Sequence, residues 1–213
     1  MDHGIKPLDP NNRHAVAHAA QLHSTLLPDS PVSRLGQAFM RRFYYRKLVG
    51  DGLVCCDLYY HQGTPAGFLA YTKHPADFMA LGLRRHWLYL MAVMAGGVLC
   101  RPTRVGVMLG VVAMLRTRQK EQLSGRQGEL LSFGVLREYR TTTFMRQTGQ
   151  RISLELFENA KRYFQREKIT TLRLLVQADN RETLLFYHAL GCHFVTPVGS
   201  TENTVFLTYV IPE

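Results

Sequence analysis

Residues 171–194 read TLRLLVQADNRETLLFYHALGCHF. Leu172, Leu174, Leu175 and Val176 form a short apolar run bounded by polar residues, which predicts a buried strand over 170–177. Ala178-Asp179-Asn180 turns the chain, and Asn180 is a suitable N-cap for a helix over 181–190. Gly191 stops that helix, and 193–197 reads as a further strand. Working upstream, 149–168 is a long helix with Ile152, Leu156, Ala160, Tyr163 and Phe164 on one face. Before it, ELLSFGVL over 129–136 is a strand. Strand, helix, strand at this spacing is a crossover unit, which makes the two strands parallel.

Further from this unit the pattern changes. Residues 5–8 read as a strand. Asp9 and Pro10 have the chemistry of an N-cap and first helical residue, with Val16, Ala19, Ala20, His23 and Leu27 at helical spacing and Pro28 as the stop. A second helix fits 33–48, with Leu35, Phe39, Met40, Phe43, Tyr44 and Leu48 apolar and its arginines opposite. Strands over 53–60 and 66–72 flank HQGTP, a hairpin turn by composition. The last strand covers 204–211. The order β-α-α-β-β, insertion, β-α-β-α-β-β is a mixed α/β domain with an antiparallel start.

The chain has 213 residues, 46% hydrophobic and 20% charged, which fits one globular domain over 1–213 and excludes disorder and coiled coil. The 4 cysteines, two of them adjacent at Cys55 and Cys56, form no disulfide framework and no CxxC pair. His14 and His18 share a helix face without an evident third ligand, so no metal is expected. The opening MDHGIKPLDPNNRH lacks the apolar core of a signal peptide, which points to the cytoplasm.

The formal charge of +10 is concentrated. Arg84, Arg85, Arg101, Arg104, Arg116, Arg118, Lys120 and Arg126 face only Glu121, so 84–126 carries 8 − 1 = +7. The same stretch holds the apolar runs 87–100 and 105–115, both shorter than the ~18–20 residues of a membrane-spanning helix. We read 75–120 as a helical insertion broken near Pro102, with a basic loop continuing to 126. A pair of helices on the sheet, a homodimer contact, and a cationic surface for the inner membrane face through 84–118 are its three readings. Charge without a recognition motif gives no support for nucleic-acid binding.

The loop before the long helix carries Arg140, Arg146, Gly149 and Arg151. Free N–H groups, the helix dipole and arginines suit a phosphate. Together with Val135-Leu136-Arg137-Glu138-Tyr139-Arg140, Arg146-Gln147-Thr148-Gly149-Gln150-Arg151, Asn180, Tyr187 and Leu190-Gly191-Cys192, this resembles the GNAT superfamily of acyl-CoA-dependent N-acyltransferases. The resemblance covers 129–213 best. It departs from the family in about six extra residues after Arg140, in Arg151 where Gly or Ala is usual, and in Cys192 where Phe is usual.

The resemblance implies a V-split mixed sheet flanked by helices. It also implies transfer of an acetyl or other acyl group from acyl-CoA to an amine, by direct attack in a ternary complex. Backbone groups of Phe133, Gly134 and Val135 would hold the pantetheine arm, with Asn180 as a side-chain partner. Arg146, Gln147, Thr148, Gly149, Gln150 and Arg151 would cradle the pyrophosphate. Tyr187 would protonate the leaving thiolate, and Glu129 would be the base, with His23 and His61 as other candidates. The acceptor is either a small-molecule amine or a protein or peptide amine. Two alternatives stand beside this reading: a non-catalytic acyl-CoA-binding module, and a membrane-associated acyltransferase acting on a lipid or cell-envelope precursor. Each residue also has a plainer role: Tyr187 as core, Asn180 as a cap, Glu129 as a strand-end charge.

Overall fold

The computed structural model describes residues 3–89, 126–195 and 204–212. Seven strands form one sheet in the order β1-β2-β3-β4-β5-β7-β6. They are β1 (Gly4–Pro7), β2 (Cys55–His61), β3 (Thr64–Thr72), β4 (Gln127–Val135), β5 (Thr171–Gln177), β6 (His193–Val195) and β7 (Thr204–Val210). Among the described residues only β4 and β5 pair in parallel. The β2–β3 turn uses Gln62 and Gly63, both at positive φ, the backbone that a two-residue hairpin with right-handed strand twist requires.

The first helix, α1 (Arg13–Leu26), starts later than Asp9 and Pro10 suggest. Asn12 caps it, accepting from the N–H groups of His14 and Ala15, while Asp9 accepts from Asn11 N–H in the preceding turn. The helix expected over 33–48 is not continuous. A short turn, α2 (Pro31–Arg34), ends before Gly36, which adopts φ 90°. The chain then enters α3 (Gln37–Phe39) and a π-helix over Met40–Leu48. The wider π turn changes which residues share a face, and Tyr45 joins Met40, Phe43, Tyr44 and Leu48 in the core. An α-helical period gave no reason to bury it.

After β3 comes α4 (Phe78–Arg85). The rest of the insertion, with its break near Pro102 and most of its basic residues, lies outside the described residues. A helix absent from the sequence reading, α5 (Thr142–Thr148), takes up the extra residues after Arg140. Thr141 caps its start and Gly149, left-handed at φ 72°, ends it. Then follow α6 (Ile152–Arg166) and α7 (Arg181–Ala189).

Two apolar layers cover the sheet. α1, the π-helix and α4 pack on one face through residues such as Ala19, Phe43 and Phe68. On the other face α6 packs through Leu156, Ala160 and Phe164. Gly128 lets Phe164 lie against β4, since a Cβ there would stand 2.2 Å from its ring. Replacing Gly128 with Val should overpack this contact and cost about 1–3 kcal/mol. The expected reading is a lower urea midpoint with an unchanged slope.

Candidate active site

Strands β4 and β5 stay paired only from Gln127↔Thr171 to Leu130↔Leu174. Beyond that point β4 keeps its partner β3 as far as Val135, and β5 keeps β7 as far as Gln177. The strands therefore part in a V. The break coincides with a bulge in β4, where Leu131 has no opposite number between Tyr71↔Leu130 and Ala70↔Ser132. A bulge turns a strand locally and increases its twist.

A cavity of about 450 Å³ occupies the gap. Its walls are residues 130–133 of β4, 174–177 of β5, the 26–32 stretch after α1, Phe78 and Met79 of α4, and Asn180, Thr183 and Tyr187 of α7. The lining is mixed: apolar side chains predominate, Ser30, Ser132, Gln177, Asn180, Thr183 and Thr204 are polar, and Asp29 is charged.

Pairing decides which backbone groups face the gap. Leu136 N–H donates to Ala66 carbonyl on β3 at 2.9 Å. Successive residues alternate, so Gly134 also turns its backbone toward β3, while Phe133 and Val135 turn theirs away from it, toward the opening. Gly134 serves packing: a Cβ there would meet the Leu26 side chain at 2.9 Å.

Asn180 caps α7, its Oδ1 accepting from Thr183 N–H at 3.1 Å. That leaves the amide hydrogens on Nδ2 for a ligand in the cavity, so capping and binding are compatible. Tyr187 is only 4% exposed, wedged among Phe133, Phe157 and Phe186. Among the described residues its hydroxyl has no hydrogen-bond partner. Burial, with a smaller contribution from Cys192, pushes the phenol well above its ordinary range. It is neutral at pH 7 and acts as a donor.

Residues 146–151 are close together but most of their amides are in use. Arg146, Gln147 and Thr148 lie in α5. Gly149 N–H donates to Met145 carbonyl, Gln150 N–H to Thr148 Oγ1, and Arg151 N–H to Glu155 Oε1 at 3.1 Å. The other carboxylate oxygen, Glu155 Oε2, accepts from Tyr59 hydroxyl at 3.2 Å. The amides left over at the start of α6 are those of Ile152, Ser153 and Leu154, which have no residue four positions back within the helix. The Gln150 side chain is turned away, bonding His61 Nδ1 at 3.1 Å and His3 Nε2 at 2.9 Å. The Arg146 and Arg151 side chains are exposed. Arg140 reaches across to Glu182 on α7 at 2.8 Å.

The candidate bases are not gathered at the cavity. Glu129 is buried, opposite Thr72 and Arg173 in the sheet, and is not among the residues lining the cavity. His61 packs against His3, Tyr139 and Phe144. His23 is fully buried, and desolvation lowers its pKa to about 4. An ammonium at ~8 to ~10.4 cannot usefully give its proton to such an imidazole, since each unit of mismatch costs about 1.4 kcal/mol. Among the described residues no group of three His, Cys, Asp or Glu is placed to hold a metal ion.

No family model and no curated protein sequence matches the chain. Solved structures do. A chain of the NatC complex bound to Gag peptide and CoA is 16% identical, with TM-score 0.57 over 100% of both chains. NAA60 of Arabidopsis thaliana in complex with acetyl-CoA is 13% identical, with TM-score 0.54 over 97% of each. Aminoglycoside 6'-acetyltransferase type Ii is 13% identical, with TM-score 0.55 over 100% of this chain and 99% of that one. At these identities the likeness is one of architecture. The chain has the GNAT fold, with its mixed, split sheet between helical layers.

Glu155 is the residue that the sequence reading passed over. It bonds the N-cap N–H as a capping-box glutamate does, but from one residue further along than the usual spacing of three, so no cap motif marks it in the sequence. A carboxylate here opposes a phosphate. Two charges ~6 Å apart in water interact by about 0.7 kcal/mol. Glu155→Gln should therefore tighten acetyl-CoA binding by about threefold per phosphate charge. Calorimetric titration of both forms checks this, and an unchanged or weaker constant counts against a pyrophosphate at this helix start.

Proposed function

We propose that this protein transfers an acyl group from acyl-CoA to a primary amine, by direct attack within a ternary complex. The observation that carries the reading is that the cavity between β4 and β5 is lined by Phe133, Asn180 and Tyr187, on an edge of β4 where the backbone groups of Phe133 and Val135 have no strand partner among the described residues. An apolar split with a few fixed donors suits a thioester-bearing arm. The Val135 or Phe133 N–H can bond its amide or thioester oxygens, and Asn180 Nδ2 can bond a further carbonyl. The start of α6 suits the pyrophosphate, in competition with Glu155.

The reaction forms one C–N bond and breaks one C–S bond. The amine nitrogen attacks the thioester carbon, and a backbone N–H stabilises charge on the carbonyl oxygen. The proton lost by nitrogen ends on sulfur. Tyr187 does not act as a free acid, because its buried phenol holds its proton far more tightly than a thiol with a pKa near ~8.5. It donates a hydrogen bond to the developing thiolate and passes a proton only as it receives the one leaving nitrogen. No strong base is needed for an α-amine, whose pKa of ~7.7–8.0 leaves about a tenth neutral at pH 7.

The acceptor enters from the side of 26–32 and α4, where apolar Leu27, Pro31, Phe78 and Met79 stand beside Asp29 and Ser30. This favours an amine attached to a small apolar group. A non-catalytic binding module is the second reading, favoured by Glu129 lying off the cavity lining and by the lowered pKa of His23.

Tyr187→Phe separates the two. It should bind acetyl-CoA within about twofold of wild type, yet lose on the order of 10²-fold in kcat for thiol release with a panel of primary amines. Full turnover by Tyr187→Phe would remove the phenol from the mechanism. A wild type that binds acetyl-CoA and acylates no amine would favour the binding module.

A further inference from the structure

A buried chain of polar groups leads from the core to the wall of the cavity. His23 Nδ1 lies 2.7 Å from the Tyr45 hydroxyl, and His23 Nε2 lies 2.9 Å from Ser30 Oγ. Ser30 lines the cavity. Its Oγ also accepts from Ser33 N–H at 3.1 Å. The imidazole is clamped by aromatic rings, stacked on Phe68 at 5.4 Å between centroids and edge-on to Tyr44 and Tyr45.

Counting hydrogens fixes the direction of the chain. Tyr45 is fully buried, and His23 is the only hydrogen-bond partner of its hydroxyl among the described residues. A buried hydroxyl hydrogen left unbonded is costly, so Tyr45 donates to Nδ1. The neutral ring then carries its hydrogen on Nε2 and donates to Ser30 Oγ. With Ser33 N–H as second donor, both lone pairs of Ser30 Oγ are occupied. Its own hydrogen has one place left, outward into the cavity. In the opposite tautomer Ser30 would spend that hydrogen on His23, and Tyr45 would bury an unpaired one.

We propose that Ser30 is a specificity-determining residue of the amine site: held by the Tyr45–His23 chain, it presents a hydrogen-bond donor that selects amines carrying an acceptor atom close to the nitrogen, such as an α-carbonyl. This rests on the acyl-transfer reading above. A donor that cannot turn away leaves any amine without such an atom unable to satisfy it, and an unpaired polar group in a largely apolar pocket is what makes discrimination strong. His23 is thus a positioning residue.

Two measurements test it. Long-range proton–nitrogen correlation of the His23 ring in the free protein reads the tautomer, independently of any turnover. The expected result is hydrogen on Nε2 and a bare Nδ1, and hydrogen on Nδ1 overturns the inference. Acetylation of leucinamide and of 3-methylbutylamine, which lacks the carbonyl, then reads the selection. Wild type should favour leucinamide. Ser30→Ala should lower kcat/KM for leucinamide by about fivefold, mainly through KM, and raise it for 3-methylbutylamine, which then meets no unsatisfied donor, while Ser30→Thr restores the preference. Equal loss for both amines, as from a weakened α2 cap, overturns the inference while acyl transfer stands. A wild type that acetylates neither amine counts against the reaction, and the ring tautomer still decides the direction of the chain.

Discussion

The parting of β4 from β5 is the constraint on which the rest depends. Two parallel strands that pair as far as Leu130 and Leu174 would ordinarily continue, because each unpaired backbone group left in an apolar place is costly. Here three features hold them apart. Leu131 bulges against β3 and re-aims the outer half of β4. Phe133 turns its ring toward α7, 5.8 Å from Phe186 and 6.4 Å from Tyr187 between centroids. Asn180 ends β5 by starting α7. The gap is thus a built site with fixed polar groups and apolar walls.

Each main element has a share in that gap. α6 supports β4 from behind, where Gly128 admits Phe164, and so fixes the paired stretch from which the two strands diverge. α7 brings the Asn180 amide and the Tyr187 hydroxyl to the same opening. The π-helix sets Tyr45 behind His23 and so gives Ser30 its fixed direction. Electrostatics enters in two opposed ways: free amides at the start of α6 invite an anion, and Glu155 already occupies part of that position.

The strands and the crossover were legible in the sequence because apolar residues there repeat with a clear period between strong stops such as Asn180 and Gly191. Tyr187 and Asn180 were legible as candidates because their surroundings resemble a family whose fold the chain has. The π-helix was not legible. Met40, Phe43, Tyr44 and Leu48 satisfy an α-helical period by themselves, so nothing in the spacing assigned Tyr45 to the core. The helix α5 was hidden for a different reason: TTFMRQT has little apolar periodicity, and only Thr141 and Gly149 announce its ends. The Tyr45–His23–Ser30 chain depends on pairings across the fold, which no local spacing encodes, while the amides of 149–151 are taken by near neighbours whose part shows only once the ends of α5 and α6 are fixed.

Hydrogen exchange of the β4 amides with and without acetyl-CoA tests the central claim most directly. If the split holds the thioester arm, the amides of Phe133 and Val135, which face the gap, should exchange markedly more slowly once acetyl-CoA is bound, while Gly134 and Leu136, already directed at β3, should change little. Unaltered exchange at Phe133 and Val135 in protein saturated with acetyl-CoA would contradict the account and move the binding site away from the split.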